Sequence, residues 1–147
     1  MGAPYSHIAC CFDGSPASEG AVAEGRRLRE LGDGRLSVIR VYHDPALYGG
    51  LYTPDLGAVR DAARLWFEER ARAWPEVEPV FLEGSAVVEL DRWIAREHPD
   101  LVIAGVHHGA AHRAVLGSVT GHLVHHSPCP VLVVRVPEEQ PASHARP

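Results

Sequence analysis

Short apolar runs alternate with stretches whose apolar residues recur every three to four positions along the chain. The runs at 7–12 (HIACCF), 36–42 (LSVIRVY), 77–82 (VEPVFL), 101–104 (LVIA) and 131–136 (VLVVRV) read as five strands. Pro79 cannot donate to a strand ladder, which puts the third run at a sheet edge. Between the runs lie four helices. Ser15 is a natural N-cap with Pro16 behind it, Ala17, Ala21, Leu28 and Leu31 form an apolar face, and Gly32 and Gly34 stop that helix. Thr53 and Pro54 begin the second, with Leu56, Val59, Ala63 and Trp66 as its apolar face. Ser85 leads into the third, which carries Val87, Leu90 and Ile94 and ends before Pro99. Gly117 and Ser118 open the fourth, which runs to about His126, with Ser118 suited to cap it.

Strands that alternate with helices build right-handed βαβ units, hence a parallel sheet with helices on both faces. Such sheets bind ligands beyond the carboxyl ends of their strands, where the strand order reverses. Asp13 follows the first strand, and a glycine- and histidine-bearing loop, 105–116, follows the fourth. The two share a crevice if those strands are neighbours.

At 147 residues the chain suits one domain, placed at 1–136, and the polar, proline-bearing stretch 137–147 is expected to be a disordered tail. A net charge of −5 argues against nucleic acid as a partner. All 14 cationic residues are arginine, which excludes a Walker-type lysine, a Schiff-base lysine and a Ser–Lys pair. Three cysteines, Cys10, Cys11 and Cys129, make no disulfide framework. No apolar run nears the roughly 20 residues that span a bilayer, and the first residues lack the pattern of a signal peptide. The expectation is a cytoplasmic protein with no membrane partner.

Six of the ten histidines fall between His107 and His126, and His122 and His126 share a helical face. Too few further ligands accompany them for zinc, so no metal site is expected. Cys10 and Cys11 point to opposite faces of their strand as small hydrophobes. Trp66, Trp74 and Trp93 read as packing residues. No nucleophile elbow, paired carboxylates or SGGxDS loop suggests a catalyst, so no catalytic residue is assigned.

The segments CCFDGSPAS (10–18), HPDLVIAG (98–105) and GSVTGHLVHHSPCPVLVV (117–134) together resemble the universal stress protein family over nearly the whole chain. The resemblance implies a five-stranded, doubly wound α/β sheet of flavodoxin-like order 3-2-1-4-5. It also implies a homodimer that pairs the fifth strands, here the run from Val131 to Val136, and ATP or AMP, with or without Mg, as bound ligand. By the same resemblance Phe12 and Asp13 border the adenosine, and the backbone at Val41 borders the adenine. Gly105, His107, His108, Gly109, Gly117, Ser118 and Val119 fall on the phosphate loop. Its family form is G-x2-G-x9-G-S/T. Here His108 stands at the second glycine, Gly109 follows one place late, and the loop is one residue shorter. The function implied is regulatory nucleotide binding in a stress response. A nucleotide-free dimeric interaction module and a weak ATP hydrolase are the alternatives.

Overall fold

A computed structural model describes residues 2, 4–43, 56–106 and 116–136. His107, His108 and Gly109, the Thr53–Pro54 helix start and the 137–147 tail lie outside the described residues. Five strands, β1 (His7–Cys11), β2 (Arg35–Tyr42), β3 (Glu78–Glu83), β4 (Leu101–Val106) and β5 (Val131–Arg135), form one parallel sheet in the order β3-β2-β1-β4-β5. The helices are α1 (Pro16–Arg29), α2 (Leu56–Ala71), α3 (Ala86–Glu97) and α4 (Ser118–His126). Pro79 does sit on an edge strand.

The central strands are buried on both faces, so their apolar residues run nearly without interruption. Side-chain alternation divides the core into two layers. Ile8, Cys10, Leu36, Val38 and Ile103 pack under α1 and α2, against Ala21, Val22, Phe67 and Ala71. Ala9, Ile39, Val102 and Ala104 pack under α3 and α4, against Leu90, Trp93, Ile94 and Leu123. Cys10 and Cys11 face opposite layers as the strand period requires. Burial pushes the Cys10 thiol up, and burial followed by the nearby Asp13 charge pushes Cys11 up to about 12. Both thiols are therefore held protonated and inert.

Two expected helix faces are corrected. In α2 the buried residues are Phe67 and Ala71, whereas Val59 and Trp66 are exposed. The reason is the aromatic layer beneath: Phe67 fills the space between Phe12 and Phe81, at centroid distances of 5.9 and 6.3 Å, and that contact rotates the helix away from the Val59–Trp66 stripe. Leu31 is also exposed rather than packed, because α1 ends before it and tight turns at Leu31 and Gly32 carry the chain outward. Trp74 and Trp93 are core residues as expected; Trp66 is not.

Candidate functional site

β1 and β4 are neighbours, so the condition for a shared crevice is met where the strand order reverses. A cleft of about 410 Å³ opens there, a size suited to a small ligand. It lies on the α3–α4 side of the sheet. Its floor is apolar, made of Ile39, Val41 and Ala104, and Leu90 of α3 closes one wall.

Asp13 forms one rim. β1 stops at Cys11, and the following turn is built from its own polar groups: the Ser15 backbone N–H donates to Asp13 Oδ1 at 2.9 Å, and the Ser18 N–H donates to Ser15 Oγ at 3.1 Å. Ser15 is thus the N-cap of α1, with Pro16 in the first turn. Arg40 of β2 adds a hydrogen bond from Nη1 to the Asp13 carbonyl, 2.8 Å. Asp13 is held at the solvent face of the cleft, and its carboxylate is the only charged side chain among the described lining residues.

The opposite rim is the start of α4. Gly117, not Ser118, is its N-cap; it adopts φ 67°, ψ 164° and offers no capping side chain. The first N–H groups of a helix have no partner within the helix. At α1 the Ser15 hydroxyl takes one of them, whereas among the described residues no side chain is seen to cap α4, whose first turn (Ser118, Val119, Thr120) borders the cleft. Thr120 Oγ1 donates to the Gly105 carbonyl at 3.2 Å, which fixes this helix end against β4.

Gly105 proves to be a strand residue, since β4 continues to Val106 through pairing with Val134 and Arg135. A β-carbon built on Gly105 would overlap the Ala17 carbonyl and lie 2.9 Å from the Ala17 β-carbon. The glycine lets α1 approach β4, as well as bordering the cleft. Phe12 also borders it, but its ring is buried on the other side of the sheet, stacked on Trp66 and edge-on to Trp74.

Seven of the ten residues expected from the sequence therefore meet at one cleft: Phe12, Asp13, Val41, Gly105, Gly117, Ser118 and Val119. Leu90, Ala86 and Thr120 join them without having been anticipated. Thr120 was findable, lying two residues beyond Ser118 in the same helical turn. Leu90 carried only the signal of a core position, since nothing local says that α3 folds over the end of β2.

The His122–His126 face is organised differently. His122 Nε2 pairs with Asp91 of α3 at 2.8 Å, and the His122 and His126 rings lie 4.8 Å apart, tilted by 35°. Among the described residues no group of three or more His, Cys, Asp or Glu is placed to hold a metal, and no helix is long and apolar enough to cross a membrane.

A doubly wound α/β domain with a cleft at its switch point is thus defined, and comparison with known proteins assigns its family. The sequence model of the universal stress protein family matches residues 4–135, and the chain belongs to that family. A curated Staphylococcus aureus (strain USA300) protein, named as a universal stress protein, is 29% identical, covering 94% of this chain and 88% of its own length. The solved structure of hypothetical protein MJ0577 superposes with a TM-score of 0.75 at 21% identity, covering 91% of this chain and 98% of that one. An Arabidopsis thaliana universal stress protein family protein with AMP bound gives 0.61 at 16% identity, over 94% and 97% of the two chains. A universal stress protein in complex with cAMP gives 0.60 at 20%, over 89% and 97%.

Proposed function

We propose that the cleft binds an adenine nucleotide, AMP or ATP, and that its occupancy serves a regulatory stress-response role rather than a catalytic one. The observation that carries this reading is the pairing of rims: a carboxylate at Asp13 faces the side-chain-uncapped start of α4 across an apolar floor. An apolar slot over Ile39 and Val41 suits a purine, a carboxylate suits ribose hydroxyls, and free helix N–H groups suit phosphate. Two relatives of the same fold have AMP or cAMP bound. Gly117, Ser118 and Val119 would hold the phosphates, with His107, His108 and Gly109 supplying the rest of the loop. Mg would accompany a triphosphate. The protein would act in the cytoplasm as a homodimer joined through its fifth strands, since β5 is an edge strand whose unpaired ladder groups favour such pairing.

A second reading, an interaction module that has given up the nucleotide, draws on Gly105. Its lack of a side chain is accounted for by the approach of Ala17, without reference to phosphate. Isothermal titration of AMP and ATP into the purified protein separates the two. Sub-millimolar binding that is measurably weakened in Asp13→Ala supports the first reading; silence with both nucleotides from a folded protein supports the second.

A further inference from the structure

Trp66 is the one tryptophan left substantially exposed, at 47%, yet it is not idle on the surface. It reaches from α2 to the back of the turn that carries Asp13. Its indole stacks on Phe12, the residue before Asp13, at 5.9 Å with planes 11° apart. It also lies against Gly14, the residue after: a β-carbon there would sit 2.8 Å from Trp66 Cη2. Gly14 has φ +87°, a backbone state that glycine alone adopts freely. The Arg40 guanidinium lies 5.8 Å from the indole centroid and donates to the Asp13 carbonyl. Asp13 is thereby held from both sequence neighbours and from its own carbonyl by one aromatic–cation unit.

We propose that Trp66 is a positioning residue of the cleft: together with Arg40 it braces the turn so that the Asp13 carboxylate presents itself to ligand. The inference rests on the nucleotide reading above. An indole that merely filled space would be expected over the core, as Trp74 and Trp93 are. Trp66 instead contacts three groups that all belong to or bond the backbone of the Asp13 turn. The flat indole suits this seat, because Phe12 meets it face to face and any side chain at position 14 would collide with it.

A double-mutant cycle tests this, with the dissociation constant for AMP as the readout. Trp66→Ala is expected to weaken AMP roughly fivefold to tenfold, the scale of one aromatic pair, and Trp66→Phe to restore most of the loss. In the Asp13→Ala background, Trp66→Ala is expected to add nothing. Should Trp66→Ala fail to fold, Trp66→Leu takes its place, keeping apolar bulk without a ring plane. Full additivity, or unchanged affinity in the single variant, overturns the proposal. Amide exchange at Ser15, whose N–H is bonded to Asp13, is measured in parallel and needs no ligand. If the wild-type chain takes up no AMP, the nucleotide reading fails by itself. Faster Ser15 exchange in Trp66→Ala, with β1 amides unchanged, would still uphold the bracing of the turn; unchanged Ser15 exchange would overturn it.

Discussion

Gly105 of β4 and Ala17 of α1 pack so closely that no side chain fits between them: a β-carbon at 105 would lie 2.9 Å from that of Ala17 and overlap its carbonyl. This contact seats the first turn of α1 beside the cleft, because Ser15 and Ser18 of that turn also line it. Gly105→Ala is therefore expected to destabilise the fold by about 1–3 kcal/mol, the usual cost of overpacking. Urea unfolding would show it as a lowered midpoint with unchanged slope.

Gly117 stands in the opposite condition. A β-carbon there meets nothing within 4 Å, but the backbone holds φ +67°. Gly117→Val should cost about 1–3 kcal/mol, because φ 67°, ψ 164° is a backbone state essentially reserved for glycine, with no packing loss. Gly117→Asn should weaken nucleotide binding about as much as Gly117→Val, because ψ 164° lies outside the left-handed helical region that Asn tolerates and is essentially reserved for glycine. Loss in Gly117→Val alone would mean that bulk at the rim, not backbone geometry, governs the site.

The end of the sheet remote from the cleft carries a pH-dependent element. His7 is buried, its Nε2 2.8 Å from Ser37 Oγ and its ring edge-on to Trp93 at 5.6 Å. Burial, followed by the charge of Arg35, holds its pKa below the ordinary 6.5. In the window between the lowered value and 6.5 the unfolded chain binds a proton that the folded chain refuses. Stability is then present in full above 6.5 and declines as pH falls through the window. Urea midpoints should drop from about pH 7.5 to about pH 5, and His7→Gln should flatten that dependence. The carboxyl groups of Glu24, Glu76 and Glu78, lowered by hydrogen bonds from Arg27, Arg26 and Arg35, act only at more acid pH.

α1 and α2 are joined by Arg70, which donates to both carboxylate oxygens of Glu19, at 2.9 and 2.6 Å, and covers the Trp74 ring at 4.4 Å. Lysine matches neither the fork nor the flat stack. Arg70→Lys should lower stability by about 1 kcal/mol at low salt, with part of that difference vanishing at high salt because both partners are partly exposed. Thermal melts of the two proteins at two ionic strengths would check it.

Much of this architecture is written locally. Ser15 and Pro16 announce α1, unbroken apolar runs announce β1 and β4, and Pro79 announces an edge. Asp13 could be placed because parallel sheets put ligands at strand ends, whereas Val41 and Gly117 are placed through the resemblance to the family. The misreadings arise where tertiary contact overrides periodicity. α2 carries two apolar stripes, and only the packing of Phe67 between Phe12 and Phe81 decides which one turns inward. Gly105 resembles a loop glycine, yet sheet pairing with Val134 makes it strand. Leu90 enters the cleft through the docking of α3 over the end of β2, which no local pattern encodes.

The most direct measurement is an amide chemical-shift titration of the folded protein with AMP. Binding at the cleft should move the resonances of Asp13, Val41, Gly117, Ser118 and Thr120 together along one saturation curve, and leave unmoved His7 and Asp100, whose Oδ2 accepts from the His7 N–H at 2.9 Å at the far end of the sheet. A spectrum that does not change, or changes confined to residues away from both cleft rims, would contradict nucleotide binding at this site.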